Sequence, residues 1–285
     1  MRRFAVQFAA LVAALSAFAN VAHAGDKDIA KLVSFGGSCA KCELSGKKLT
    51  GAQFVGANFA SSNLVGADLR GASFMGSNFQ QADFTRADLR GAEMAGAHFG
   101  LAVFAGAHLD GIEADGSNFS KADLRNAQMT GAELSGSNFA SAQMAGARMR
   151  GSELNAANLT SVDARGVDFR DAELSAANMT EGRFAKASFR SADMDNAVMT
   201  RADLREADFT DADLSQAMLQ GADLTDARIT QDQLDEACTD SSTKLPRGLS
   251  GHACHGVTIR RVIIHKAPTP PTPPKAPRWI ISEGD

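Results

Sequence analysis

The 285-residue chain is 44% apolar, 22% charged and 6% aromatic, with a formal net charge of −4. It has no Tyr and a single Trp, Trp279, which excludes a conventional core built around large amphipathic aromatic side chains. Six of the seven prolines fall between Pro268 and Pro277, and none lies between Cys42 and Ala237, so composition alone divides the chain.

Residues 1–24 read as an export signal. Arg2 and Arg3 precede an apolar run from Phe4 to Ala19, and Ala22-His23-Ala24 supplies the small-x-small pattern that a signal peptidase cuts after. The run is shorter than the roughly 20 apolar residues of a spanning helix, so the expectation is a mature chain from Gly25, periplasmic or secreted, with no membrane span. Export also places the cysteines where disulfides persist. Residues 25–43 read as an N-terminal cap. Ile29, Leu32 and Val33 after Asp28 have the spacing of a short amphipathic helix, and Cys39 and Cys42 follow it. No thioredoxin-like βαβ context surrounds this C-x-x-C, so a structural disulfide is expected in preference to redox work.

From Leu44 to Leu234 every fifth residue is Leu, Phe, Met or Ile, except at Ala114 and Ala164. Two positions earlier sits a small residue, usually Ala, and a polar residue commonly stands between the two. A period of five matches neither the helical 3.6 nor the strand 2.0, so neither element keeps these side chains on one buried face. A coil that turns a corner at every unit does. Four units close a square turn, and each large residue then stacks on the one twenty positions later. The expected architecture for residues 44–237 is an all-β solenoid of about ten coils, roughly 45 Å long, with short capping helices at both ends. Absence of proline follows, because its ring nitrogen cannot donate to the ladder. At Ile112/Ala114 and Val162/Ala164 the large and small residues exchange places, conserving core volume. Phe59, Phe79, Phe99, Phe119 and Phe139 share one face and predict a stack of rings.

Thr230-Gln-Asp-Gln233 has the form of a capping box opening a short helix through Ala237. Cys238 and Cys254 enclose a loop within residues 238–256, and a bridge between them would restrain it by about 3 kcal/mol. His252, Cys254 and His255, with Cys238, offer metal-ligating atoms, but no established zinc spacing is present and an oxidised bridge removes both thiolates. Residues 257–285 comprise a β-branched stretch, Val257 to His265, and a Pro-rich basic tail with Arg260, Arg261, Lys266, Lys275 and Arg278.

The chain has no G-x-S-x-G, H-E-x-x-H, Walker A or dinucleotide glycine motif, so the expectation is no catalytic, cofactor or metal site. His98 and His108 stand two units apart, hence on opposite sides of a square coil, and cannot share a ligand. Leu44 to Ala192 holds 15 acidic and 14 basic residues, whereas Asp193 to Ala237 holds 12 acidic against Arg201, Arg205 and Arg228. Arg70, Arg90, Arg150, Arg170 and Arg190 form a stripe at twenty-residue spacing, broken at Asp110 and Thr130. Asp68, Asp88 and Asp168 two residues before three of them suggest local pairing, and the alternative is a recognition face for an anionic surface.

The Ala-Asp/Asn-Leu/Phe-x-x unit, unbroken from residue 44 to about 234, resembles the pentapeptide-repeat family. The flanking Cys39-Ala-Lys-Cys42, Leu234-Asp-Glu-Ala-Cys238 and Thr243-Lys-Leu-Pro-Arg-Gly248 are similar to those of exported members. The resemblance implies a right-handed quadrilateral β-helix. Some members resemble duplex DNA in shape and charge and bind type II topoisomerases. Export and the nearly neutral N-terminal two thirds weigh against that role here. The expectation is therefore a non-catalytic exported scaffold that binds a protein or an anionic envelope surface through its polar faces or tail, with neither nucleic acid nor a small-molecule substrate as partner. DNA-mimic-like modulation of a type II topoisomerase is the alternative.

Overall fold

The computed structural model describes residues 37–253. The expected signal sequence and N-terminal helix, Cys254, His255 and the Pro-rich tail lie outside the described residues.

Each polar residue of the repeat pairs in parallel with the residue twenty positions on, as in Asn58 with Asn78 and Asp168 with Ser188. A five-residue unit and a twenty-residue register together make a four-sided coil. Within a unit the central residue donates to the coil above, Phe59 N–H to the Asn78 carbonyl at 2.7 Å, and the polar residue donates to the coil below, Asn78 N–H to the Ala57 carbonyl at 2.9 Å. The corner closes with Ser62 N–H on the Phe59 carbonyl at 3.1 Å. Its third residue, Ser61, has φ 59°, and the same left-handed conformation recurs at each corner. Ser38 and Glu43 already pair in this register, so Cys39 and Cys42 belong to ordered coil.

The core runs along the coil axis. Large and small positions alternate, and both members of the exchanged pairs Ile112/Ala114 and Val162/Ala164 are fully buried. The ring stack is present: Phe59, Phe79, Phe99, Phe119 and Phe139 follow one another at 4.9, 5.5, 5.0 and 5.0 Å between centroids, with planes within 14° of parallel. Shorter stacks join Phe84 to Phe104 on a neighbouring side and Phe169 to Phe189 to Phe209 on the opposite side. Where Ser replaces Ala at the small position its buried hydroxyl donates to a carbonyl, of the coil below for Ser62 to Cys39 at 2.8 Å and Ser117 to Met94 at 2.6 Å, and of its own corner for Ser152 to Met149 at 2.7 Å.

Gly182 occupies the small position beside Phe184. A methyl group there would overlap the Phe184 ring and approach the Met179 carbonyl oxygen to 3.1 Å. Gly182→Ala is therefore expected to destabilise by about 1–3 kcal/mol in chemical denaturation, against nearly nothing if the ring can move aside.

The coil closes on helix α1, Gln231–Glu236, with Ala237 as its C-cap. Thr230 and Gln233 form the reciprocal capping box, and Leu234 is buried over the last turn of core. The Gln233 amide also donates to the Phe209 and Ala212 carbonyls at 2.7 and 2.8 Å, and the Ala212 carbonyl is the acceptor that the next coil would have used. Because α1 stands where one further unit would pair, the ladder on that side ends at Asp213. On two other sides it continues, to Cys238 and Lys244.

Candidate interaction surface

Every fifth residue points outward, so the twenty-residue register sorts these positions into four columns, one per side. One is an amide column. Asn58, Asn78, Asn118, Asn138, Asn158 and Asn178 line it, with side-chain amides of successive coils joined at 3.1 to 3.5 Å, and His98 interrupts it. The next two columns mix charges. Asp68, Asp88, Asp168 and Asp208 lie in one, with His108 between Asp88 and Gln128. Asp123, Asp163, Asp203 and Asp223 lie in the other.

The fourth column is different in kind. Glu93, Glu113, Glu133, Glu153, Glu173, Asp193 and Asp213 succeed one another without interruption, each paired through the backbone with the next. All seven are exposed. Charge counted by segment hides this column, and reading every twentieth residue from Glu93 would have found it.

The arginine stripe runs along the corner between the acidic column and the Asp68 column. Its members turn toward carboxylates off the acidic column. Arg70, Arg90 and Arg170 clasp Asp68, Asp88 and Asp168 two residues back, at 2.8, 2.6 and 2.6 Å. Arg150 meets Asp171 at 2.8 Å, and Arg190 reaches Asp208 at 3.6 Å. Arg125, Arg165 and Arg205 repeat the clasp on another side with Asp123, Asp163 and Asp203. The arginine hydrogen bonds hold the carboxyls of Asp88, Asp123, Asp163, Asp168 and Asp203 below their ordinary range, while burial pushes the other way. The five predicted arginines are thus brought together as one stripe, but as partners of neighbouring aspartates.

A carboxyl whose pKa is lowered on folding stabilises the fold above its unfolded value near 4, and that contribution disappears as pH falls through the folded value. Lowering the pH from about 5 to about 2 should depress the melting temperature, and Asp88→Asn/Asp168→Asn/Asp203→Asn should flatten that drop. An identical drop in the variant would show the clasps to be without effect on stability.

Cys39 and Cys42 are joined by a disulfide. Cys238 is disulfide-bonded as well, while Cys254 lies outside the described residues. His252 places Nδ1 3.1 Å from an Asp235 carboxylate oxygen. Among the described residues no group of three or more His, Cys, Asp and Glu is placed to hold a metal ion, and no helix is long and apolar enough to cross a membrane. A cavity of about 680 Å³ opens where the acidic column meets α1, lined among others by Asp211, Asp213, Arg228, Gln233 and Glu236.

The family model described as pentapeptide repeats matches the chain in 8 copies, over residues 52–190 and 192–231. Among solved structures the chain is similar to HetL, a pentapeptide repeat protein involved in heterocyst differentiation regulation from the cyanobacterium Nostoc sp. strain PCC 7120. The two are 24% identical with a TM-score of 0.53, covering 76% of this chain and 92% of HetL. Trypsin-treated QnrB1, a plasmid-mediated fluoroquinolone resistance protein, is 22% identical with a TM-score of 0.46, covering 73% of this chain and 90% of that one. A pentapeptide repeat protein of the Arabidopsis thaliana thylakoid lumen is 25% identical with a TM-score of 0.30, over 46% of this chain and 80% of its own. No curated protein matches the sequence. The likeness to HetL is one of fold.

Proposed function

The chain belongs to the pentapeptide-repeat family, and on that premise we propose that it works as a non-catalytic, exported interaction rod. It binds a protein partner through its polar faces. The observation that carries this reading is the division of labour in the coil. Core side chains fill the axis, and the remaining chemistry is spread over flat outward columns of distinct character. Such a surface suits recognition of another macromolecule better than turnover of a small one, which calls for a concave site with convergent groups.

Export rests on Arg2, Arg3, the apolar run to Ala19 and Ala22-His23-Ala24. Mass spectrometry of the protein from fractionated cells should find a mature chain beginning at Gly25 in the periplasm or medium. An intact N-terminus in the cytoplasm would remove export from the proposal. Cross-linking in intact cells followed by mass spectrometry should place partner contacts on the outward columns.

Charge density argues against the DNA-mimic alternative. A duplex carries one negative charge per about 1.7 Å of its axis. The acidic column supplies about one per coil, or one per roughly 4.8 Å, and aspartates on two other sides are already clasped by arginine. A supercoiling assay with purified gyrase should be insensitive to the protein, and inhibition or protection at stoichiometric amounts would restore the alternative.

A further inference from the structure

We propose that the acidic column is the docking surface for an extended lysine- or arginine-rich segment of the partner. This deepens the interaction-rod reading and rests on it.

The column sets seven carboxylates one above another at about 4.8 Å, over roughly 29 Å of the rod. Like charges stacked directly across a ladder repel, so the arrangement costs stability as it stands. Neutralising cations are close at hand: the arginine stripe lies three residues away along the chain. Yet Arg70, Arg90 and Arg170 pair on their other side, and Arg190 reaches Asp208. None of the seven carboxylates forms an ion pair among the described residues. The charge is left open.

Three further observations make the column a surface fit for a ligand. From Glu93 to Glu133 its flanks are glycine. Gly91, Gly111 and Gly131 edge one side, Gly96, Gly116 and Gly136 the other, and a Cβ at any of them would meet open space. Across the amide column the corresponding corner carries Gln81, Leu101, Lys121 and Ser141 at the same positive φ, so the backbone alone does not demand glycine there. A flat partner can therefore approach Glu93, Glu113 and Glu133 past bare corners, whereas higher up Asp171, Ser191 and Asp211 take the glycine positions and Asn155 donates to Glu173 at 2.8 Å. At the foot of the column Ser73 takes the register position below Glu93. It is 1% exposed, and its hydroxyl has no hydrogen-bond partner among the described residues. At the head, Asp213 opens into the cavity beside α1, where Asp211 and Glu236 add two more carboxylates. The surface thus runs from Glu93, above the enclosed Ser73 hydroxyl, along the carboxylates to a cavity in which Asp211, Asp213 and Glu236 outnumber Arg228.

The dimensions select the occupant. An extended strand rises about 3.4 Å per residue, so eight residues cover about 27 Å, nearly the length of the column. Alternate side chains of that strand, about 6.8 Å apart, deliver one ammonium or guanidinium to every one or two carboxylates. No described set of ligands is placed for a metal ion, which favours an organic cation.

The test is fluorescence anisotropy of labelled octalysine with the full mature chain. Saturable binding that weakens as salt is raised is expected. Glu113→Gln/Glu133→Gln/Glu153→Gln should weaken it by about tenfold or more, some 1.4 kcal/mol. Asp83→Asn/Glu206→Gln/Asp226→Asn removes the same number of charges from other parts of the rod and should weaken it less than about threefold. Glutamine keeps the shape of the column, and circular dichroism confirms folding of both variants. Equal weakening in the two variants, or no saturable binding, would overturn the inference. A tenfold gain on changing Lys266, Lys275 and Arg278 to Gln would assign the column to the chain's own tail and overturn it too. If octalysine fails while cellular cross-links map to another column, this inference falls and the interaction-rod reading stands.

Discussion

Phe99→Ala is expected to lower the stability of the coil by about 3–5 kcal/mol, read from chemical denaturation. Phe99 is fully buried, stacked between Phe79 at 5.5 Å and Phe119 at 5.0 Å, with Phe104 edge-on at 5.4 Å. Truncation leaves a gap bounded by coils whose hydrogen-bond ladder holds them at fixed spacing, so the walls cannot close in as they might in a bundle. The damage also falls on two interfaces at once, since each coil of a solenoid is held by its neighbours. A loss under about 1 kcal/mol would mean that the stack is loosely packed and contributes little.

Exchange of large and small residues at Ile112 and Ala114 makes a second strong prediction, because it concerns a coupling between two sites. Both side chains are fully buried within one unit. Ile112→Ala should cost about 2–5 kcal/mol by emptying space. Ala114→Ile should cost about 1–3 kcal/mol by overfilling it. Combined, they restore the small-then-large order of the other units, and the double variant should come within about 1.5 kcal/mol of the parent, a favourable coupling of at least about 1.5 kcal/mol. Strict additivity of the two losses would show that the units do not share core volume as described.

Core and register were legible in the residues themselves. A five-residue apolar period with small partners has one economical solution, and Phe59 to Phe139 at twenty-residue spacing stack accordingly. Pairing on the surface was legible only in part. An aspartate two residues before an arginine shares its corner, so the Arg70, Arg90 and Arg170 clasps follow from local spacing. Arg150 with Asp171 and Arg190 with Asp208 cross between coils, where the choice depends on side-chain reach across a corner. The acidic column escaped because five of its seven members, Glu93 to Glu173, are scattered through a region of balanced charge, where 15 acidic residues face 14 basic ones from Leu44 to Ala192. Balance along the chain conceals segregation around the coil. The end of the ladder at Asp213 was likewise not readable from the periodicity, since Leu234 keeps the five-residue phase while standing on helix α1.

Everything proposed for the surface depends on the twenty-residue register turning a scattered set of carboxylates into a straight column. Spin labels at Glu93 and Asp213 measure that directly by pulsed electron resonance. Six coils separate the two positions, and the account predicts one narrow distance distribution centred near 29 Å, widened only by the label linkers. A broad distribution, or a centre displaced by more than about 10 Å, would contradict the column and the docking surface built on it.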